Sequence, residues 1–303
     1  MKSTVSLVRS EDHYAGVKRS LQPFRQSLAS QLSKVATIVI KINMVITKTP
    51  RYAKGAELAV TPVDACRGFI EFVRPFYKGK IILAEEPAWG DSQSGFSLYG
   101  FSKLTKSDSR IELFDLRDDQ TLETRLPHPG GALRLPLSRT LVEAPFLVSI
   151  ARPKTHCTVV MTAGIKNVLV GAIRGFANRR KIHDGKYIHY TLVAIAKHAY
   201  PDFTIVDGTV GMQEGGPVRG TEIKSGWVLS SFDALAADSL AVHLMGFQLQ
   251  DVGYLHLIGK AGMGEQYPAG KVEILGELPD PLVMPYKPHR SFKKAREWNT
   301  PRP

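Results

Sequence analysis

Lysine and histidine side chains that could bind and protonate a substrate are concentrated in one stretch of this sequence. Lys154 and His156 lie two positions apart, and Lys166 follows ten positions after His156. A lysine ammonium neutralises an anionic group, and imidazole titrates close to neutral pH, where it can transfer protons. We therefore predict that Lys154 binds an anionic substrate and that His156 and Lys166 act in catalysis.

His183 is a second histidine of this kind. Like His156, it has basic neighbours, including Arg179, Arg180 and Lys181. Nearby positive charge disfavours imidazolium, so both rings should be neutral near physiological pH. A neutral imidazole accepts a proton or binds a metal ion, and we predict a catalytic role for His156 and His183. The alternative is that each is a loop histidine that only makes hydrogen bonds.

Short apolar runs rich in valine and isoleucine alternate with helical patterns along the chain. Strands buried on both faces of a parallel sheet have this composition. Strands are predicted at residues 35–40, 80–84, 146–150 and 203–206, and helices at residues 62–77, 162–176, 187–200 and 233–245. We therefore predict an α/β fold, with a mostly parallel central sheet flanked by helices and a candidate antiparallel excursion over residues 96–139.

Polar or charged side chains follow the end of each predicted strand. Ligand sites of open α/β sheets lie beyond the carboxyl ends of the strands. We therefore expect these side chains to converge on one crevice, although they are far apart in the chain. They are Lys41 and Asn43 after the first strand, Glu85 and Glu86 after the second, Lys154 and His156 after the third, and Asp207 after the fourth.

The helix predicted over residues 162–176 begins with three small residues and carries Asn167. Small residues let an anion approach the free N–H groups of a helix start, so a phosphate or carboxylate could bind there; the alternative is an ordinary solvated helix end. Amide side chains orient a ligand by hydrogen bonds. We predict that Asn43 and Asn167 orient the substrate, while Lys41 and Lys154 neutralise its charge.

Glu85, Asp207 and Glu214 are candidate ligands for a hard divalent cation, because such ions bind carboxylate oxygens. Each could instead orient a histidine, and a surface carboxylate that binds nothing is the ordinary alternative. The glycine-rich segment 207–217 matches no nucleotide-binding motif, and two cysteines are too few for a four-cysteine site. A divalent metal is thus a candidate, the cofactor is otherwise unknown, and we expect no iron–sulfur cluster on the chain's own cysteines.

The composition is that of a globular protein. The 303 residues are 43% hydrophobic and 22% charged, which excludes a disordered or coiled-coil chain. No apolar stretch approaches the ~20 residues of a membrane span, and we expect no secretion signal. The two cysteines fit a reducing compartment. We predict a cytoplasmic protein without membrane contact, with a single α/β domain over residues 1–303 and a basic C-terminal tail at 287–303.

The formal net charge of +12 is unevenly distributed. Residues 1–55 carry ten Lys/Arg and two acids, and residues 151–200 carry nine and one. Clustered bases attract phosphates, carboxylates or nucleic acid, although a basic surface without a ligand is the ordinary alternative. The sequence has no recognisable recognition helix or aromatic platform for nucleic acid. A small anionic molecule is therefore the favoured partner, and nucleic acid is not.

The same residues carry a resemblance to a known family. In the family's order, they are segments 39–43, 152–156, 162–167, His183, 206–208, 214–217 and 231–238. Over about residues 35–275, the sequence resembles the uncharacterised family catalogued as domain of unknown function 362. Members often carry a ferredoxin-like iron–sulfur module, which implies redox work in the family. This chain has no cysteine cluster, so the resemblance implies that electrons would come from a separate redox protein.

These observations favour an enzyme that acts on a small anionic substrate in a crevice lined by lysine, histidine and asparagine at the carboxyl ends of the strands. Redox, lyase and isomerase chemistry all stay open. One alternative is a non-catalytic carrier or assembly factor for a redox or iron–sulfur partner. Another is a nucleic-acid-binding protein that uses the basic patches. The sequence indicates no oligomeric state.

Overall fold

The computed structural model describes residues 3–47, 56–184, 187–276 and 284–299. Its strands are β1 (Ser3–Arg9), β2 (Thr37–Lys41), β3 (Lys80–Glu85), β4 (Ile111–Asp115), β5 (Thr121–Leu126), β6 (Leu133–Ser138), β7 (Leu147–Ala151), β8 (Lys154–His156), β9 (Val160–Thr162), β10 (Phe203–Gly208), β11 (Gly211–Gln213), β12 (Thr221–Ile223), β13 (Trp227–Ser231) and β14 (Val272–Gly276). Its helices are α1 (His13–Ser20), α2 (Arg25–Leu32), α3 (Val63–Val73), α4 (Ser92–Leu98), α5 (Ser102–Ser107), α6 (Arg139–Val142), α7 (Gly164–Gly171), α8 (Phe176–Asp184), α9 (Ile188–Ala196), α10 (Ala234–Leu244), α11 (Gly253–Lys260) and α12 (Phe292–Ala295). Short 3-10 turns lie at Gln22–Phe24, Ala56–Ala59, Leu116–Asp118 and Leu249–Asp251.

The central sheet has eight strands in the order β14-β1-β13-β10-β7-β2-β3-β4. The neighbours β10, β7, β2, β3 and β4 run parallel, and β14 is parallel to β1. Strand β13 is antiparallel to both of its neighbours, β1 and β10. The protein therefore has an α/β fold with a mostly parallel sheet, and the sequence prediction of the fold class is confirmed.

Helices cover both faces of the sheet, because alternate residues of its strands enter two different apolar clusters. Along β2, Ile38 and Ile40 belong to the cluster that includes α1 and α3, whereas Val39 belongs to the cluster that includes α7, α9 and α10. Strand β7 is buried along its whole length, as expected of a central parallel strand. The carboxyl ends of the strands are thus the part of the sheet where a ligand can approach.

The four predicted strands and four predicted helices are present, but the helix predicted over residues 162–176 has the wrong bounds. Residue 162 ends β9, α7 covers Gly164–Gly171, and α8 begins at Phe176. The chain turns between the two helices at Gly175, whose φ of 80° is accessible to glycine without strain. The predicted helix therefore corresponds to α7 alone, and α8 lies almost wholly beyond the predicted range.

The antiparallel excursion predicted over residues 96–139 is confined to its second half. Strands β5 and β6 form a separate two-stranded antiparallel sheet. Strand β4, in contrast, joins the edge of the central sheet parallel to β3. Only its first residue is fully buried, which explains why its apolar pattern is weak in the sequence.

A second, four-stranded sheet that the sequence did not predict carries two of the candidate site residues. Its order is β12-β11-β8-β9. Strand β8 pairs antiparallel with β9, with Lys154 opposite Thr162 and His156 opposite Val160. Val160 has a φ of 70°, a left-handed conformation that is costly for a β-branched residue. The tight β8–β9 hairpin therefore positions the backbone of Lys154 and His156.

Asp238 of α10 holds the start of α7. It is fully buried, and its two carboxylate oxygens accept hydrogen bonds from the backbone N–H groups of Gly164 and Ile165, each with an N–O distance of 2.9 Å. The anion expected at this helix start is thus a side chain of the protein itself, and the helix start is not open to a ligand. Burial raises the pKa of Asp238 to about 7, although the two N–H groups oppose the shift.

We expect Asp238→Asn to change how stability depends on pH. The folded protein, with a pKa of about 7 at Asp238, binds more protons at this carboxyl than the unfolded chain, for which the value is 3.8. This carboxyl therefore lowers stability as the pH rises from about 4 to about 7. In urea denaturation, the wild type should lose about 3 kcal/mol relative to Asp238→Asn across that range.

The exposed Asp118 provides the matched control, because Asp118→Asn should show no such trend. A free-energy difference between wild type and Asp238→Asn that stays constant from about pH 4 to about pH 7 would contradict the account of the buried carboxyl.

Candidate active site

A cavity of about 490 Å³ lies at the carboxyl ends of β2 and β3, beside β8, α7 and α8. Its lining brings together eight of the ten predicted site residues. They are Lys41, Asn43, Glu85, Lys154, His156, Lys166, Asn167 and His183. Residues that are far apart in the chain thus meet at one edge of the sheet, and the chemical role of each stays a prediction.

Asp207 and Glu214, the other two predicted residues, do not line this cavity. The alternation of side chains along β10 directs Asp207 to the opposite face of the sheet, where its fully buried carboxylate contacts Nδ1 of His13 at 2.7 Å. Glu214 pairs with Lys287 at 3.3 Å and is partly exposed. Since Asp207 contacts His13 and Glu214 pairs with Lys287, whereas Glu85 faces the cavity, the three carboxylates do not form one set of metal ligands.

The described residues also do not form a metal centre whose ligands are all protein side chains. Within residues 3–47, 56–184, 187–276 and 284–299, no group of three or more His, Cys, Asp or Glu side chains could hold a metal ion. Metal sites in proteins generally take at least three protein ligands. The cavity residues therefore do not fit a metal held by this chain alone.

Lys41 and Glu85 form a buried ion pair in the cavity wall. Nζ of Lys41 donates to Oε2 of Glu85 at 2.9 Å, and the same oxygen accepts the N–H of Met44 at 2.8 Å. Asn167 joins the pair, since its Oδ1 accepts from Nζ of Lys41 at 3.3 Å and its Nδ2 donates to the Lys41 carbonyl at 2.9 Å. Burial lowers the pKa of Lys41, while Glu85 opposes the shift. The ion pair and Asn167 thus join β2, β3 and α7.

Gly171 of α7 leaves the space through which Lys41 reaches this pair. A Cβ atom at position 171 would lie 2.1 Å from Cε of Lys41, well inside van der Waals contact. A larger residue would displace the lysine side chain from Glu85.

Glu86, the residue after β3, is neutralised by two arginines. Its Oε2 accepts from Nη1 of Arg174 at 2.6 Å and lies 2.8 Å from Nη2 of Arg179. Arg179 also donates to the carbonyls of Glu86 at 2.5 Å and Ile173 at 2.8 Å. The two arginines are not among the predicted site residues, although Arg179, Arg180 and Lys181 form a run of bases in the sequence. Since Arg179 is buried, that run is not a continuous free surface.

Lys166 lies between two imidazole rings. Its Nζ is 3.1 Å from Nε2 of His156 and 3.2 Å from Nε2 of His183. The two rings are stacked, with centroids 5.5 Å apart and planes inclined by 26°. Burial, and after it the Lys166 amine, lower the pKa of His156 well below its ordinary value. Burial also lowers the pKa of Lys166 to about 8.

Lys154 is the third buried lysine of the cavity. Its Nζ donates to the carbonyl of Ala59 at 3.1 Å. Burial, followed by the charges of Arg152 and Lys166, lowers its pKa to about 7. Neither Lys154 nor Lys166 has a carboxylate partner among the described residues, and both carboxylates of the cavity are paired with other cations. The cavity therefore contains two amines that no carboxylate of the described residues contacts.

Two aromatic rings lie at the rim of the cavity. The centroids of Trp89 and Phe176 are 5.3 Å apart, and the residues are 38% and 37% exposed. This rim is not evident from the amino-acid sequence, because single aromatic residues outside a periodic pattern give no signal. The cavity is thus cationic inside and apolar at its mouth, where Val45, Ala88, Val170, Pro217 and Val218 also contribute to the lining.

The sequence matches the family model described as Domain of unknown function (DUF362) over residues 38–243, more than half of the chain. The chain belongs to the DUF362 family. This membership confirms the resemblance found in the sequence. The matched segment of this DUF362 protein contains all eight predicted residues that line the cavity.

This DUF362 protein is similar to one named protein and to two solved structures. A thylakoid-associated protein from Synechocystis sp. is 24% identical over 260 residues, which cover 81% of this chain and 75% of the relative. The lactate racemase apoprotein from Thermoanaerobacterium thermosaccharolyticum has a TM-score of 0.45 and 18% identity, covering 68% of this chain and 50% of its own. A protein from Thermotoga maritima has a TM-score of 0.40 and 11% identity, covering 80% and 57%. The chain thus spans half of the first solved structure and 57% of the second.

None of the described helices is both long enough and apolar enough to cross a bilayer.

We expect Glu85→Gln to destabilise the protein by about 3 kcal/mol or more, because it leaves the Lys41 ammonium buried without its partner. The free energy of unfolding from urea denaturation measures this effect. Glu112→Gln is the matched control, since Glu112 pairs with Lys80 on the surface and both side chains are well exposed. Loss of that pair should cost less than about 1 kcal/mol. Equal losses in the free energy of unfolding for the two substitutions would contradict the predicted contribution of the buried ion pair to stability.

Proposed function

We propose that this DUF362 protein is an enzyme that binds a small anionic organic substrate in the cavity and converts it there. The observation that carries the proposal is the pair of buried amines, Lys154 and Lys166, which have no carboxylate partner in the described chain. A buried charge without a partner is costly, and a bound anion removes that cost. The cavity is therefore complementary to a carboxylate or a phosphate.

The remaining lining suits the rest of an organic molecule. A volume of about 490 Å³ falls within the range of small-molecule sites, roughly 300–1,000 Å³. Trp89 and Phe176 offer an apolar surface at the mouth. Oδ1 of Asn43 is a buried acceptor with no hydrogen-bond partner among the described residues. A substrate with an anionic end, an apolar part and a hydrogen-bond donor would engage all these features.

The row of His156, Lys166 and His183 supports proton transfer as the chemical step. A general acid or base works best when its pKa lies near the working pH, and the pKa of Lys166 is about 8. Lys154 would stabilise negative charge that develops on the substrate. Proton transfer of this kind fits an isomerase or a lyase, whereas redox chemistry would require a separate redox partner.

A carrier for an anionic molecule is the competing proposal. It would use the same cavity and the same lysines, but it would release its ligand unchanged. Turnover therefore distinguishes the two, and binding alone does not.

Anion binding is expected to raise the melting temperature of the protein and to depend on Lys154. The test is a thermal-shift series with phosphate and small carboxylates, followed by calorimetric titration of those that bind. Lys154→Met should weaken binding about tenfold or more, since it removes a charge-assisted contact. Affinity should also fall as the pH rises from about 6 to about 9, because an anion favours the protonated amines and their pKa values in the free protein are about 7 and about 8.

Lys103→Met is the control, because Lys103 is exposed on α5 and does not line the cavity. NMR spectra of mixtures of protein and bound compounds would then report turnover. If Lys103→Met weakened binding as much as Lys154→Met, the anion site would not be this cavity. Bound compounds that are never converted would favour the carrier over the enzyme.

A further inference from the structure

The hydrogen bonds around Lys166 have defined directions, because a backbone group lies at each end of the row. At one end, the N–H of Thr158 donates to Nδ1 of His156 at 3.1 Å. A nitrogen that accepts a hydrogen bond carries a lone pair, so the single proton of the neutral His156 ring is on Nε2. That Nε2–H lies against Nζ of Lys166, at 3.1 Å.

At the other end of the row, the direction is set by a carbonyl. Nδ1 of His183 lies 2.7 Å from the carbonyl oxygen of Arg179, which can only accept. Nδ1 of His183 therefore carries a proton, and in the neutral ring Nε2 carries a lone pair. That lone pair faces Nζ of Lys166 at 3.2 Å.

Lys166 thus has a donor on one side and an acceptor on the other. An ammonium group has three donors and no lone pair, so it would meet Nε2–H of His156 donor to donor. A neutral amine satisfies both neighbours, since it accepts from His156 and donates to His183. Burial acts in the same direction and lowers the pKa of Lys166 to about 8, so a fraction of the amine is neutral and able to react at about pH 7. The titratable groups described around Nζ are the two histidines, Lys154 and Cys157. None of them is a carboxylate, and Cys157 opposes the effect of burial on the pKa of Lys166, which is nevertheless lowered.

We infer that Lys166 is a nucleophilic amine that forms an imine with the carbonyl carbon of an oxo acid. An oxo acid carries the two groups that the cavity can engage, a carboxylate for the Lys154 ammonium and a carbonyl for the Lys166 amine. The inference rests on the proposed function, since it requires an organic anion in the same cavity. It adds the class of substrate and the bond that forms.

The reaction balances without an oxidant or a reductant. As the carbonyl enters, Nε2–H of His156 changes its acceptor from Nζ to the carbonyl oxygen, which frees the lone pair of Lys166. A C–N bond forms, and the π electron pair of the carbonyl moves to its oxygen. Nε2 of His183 accepts the two amine hydrogens in turn and passes them to that oxygen. The oxygen leaves as water, and a C=N bond remains.

Reductive trapping tests for this imine. The full chain would be incubated with pyruvate or phenylpyruvate and sodium cyanoborohydride at about pH 7, and the adduct would be located by peptide mass spectrometry. We expect a secondary amine on Lys166, formed about tenfold or more faster than on any other lysine. Lys166→Met should lack the adduct, whereas Lys103→Met should be labelled like the wild type.

His156→Ala tests whether the imidazole row controls the state of the amine. Without Nε2–H, the donor that favours the neutral amine is lost, so the pH of half-maximal labelling should rise and labelling at about pH 7 should fall about tenfold. A purely structural role of His156 would lower labelling at every pH without moving this midpoint. An unchanged midpoint would overturn the assigned hydrogen-bond directions.

Propionate, a carboxylate without an oxo group, separates failure of the imine from failure of the anion site. If propionate raises the melting temperature but neither oxo acid labels Lys166, the imine is wrong and the proposed anion site stands. If propionate and the other anions all fail to bind, the proposed function fails as well. An adduct on Lys154, or labelling spread evenly over surface lysines, would also overturn the assignment to Lys166.

Discussion

A buried ion pair between Lys41 and Glu85 joins the elements on which the cavity is built. Lys41 ends β2, Glu85 ends β3, and Asn167 of α7 bonds to both the side chain and the main chain of Lys41. A charge in a protein interior is costly unless it is paired and hydrogen-bonded, so the positions of these groups are closely constrained. Because Lys166 precedes Asn167 on α7, the same contacts position the amine in the cavity.

The cavity wall is electrostatically asymmetric. On the side of β3, Glu85 and Glu86 each have a cationic partner, so that half of the wall is internally neutralised. On the side of β8 and α7, Lys154 and Lys166 contact a backbone carbonyl and two imidazoles instead. In a low-dielectric cavity such an arrangement produces a strong local field. A ligand anion is thus expected beside the two lysines and away from the paired acids.

Backbone groups at both ends set the protonation pattern of the His156–Lys166–His183 row. The N–H of Thr158 donates to Nδ1 of His156, and the carbonyl of Arg179 accepts from Nδ1 of His183, so each backbone group is compatible with only one tautomer of its neutral ring. Both backbone groups lie in short, positioned segments, the β8–β9 hairpin and helix α8. Arg179 is held in addition by Glu86, which connects the row to the neutralised half of the wall. The state of the amine therefore depends on the fold around it.

The amino-acid sequence by itself determined the α/β class and the positions of the main strands, because buried parallel strands require continuous apolar runs. It also indicated that Lys41, Glu85 and His156 would meet, since parallel strands end at the same edge of a sheet. Only the tertiary structure decided that Asp207 faces away, because a shift of one residue at a strand end reverses the face of the side chain. It alone also decided that Asp238 bonds the start of α7 and that Arg174 and Arg179 pair with Glu86. Such partners lie far apart in the chain, and their contacts depend on how whole elements pack.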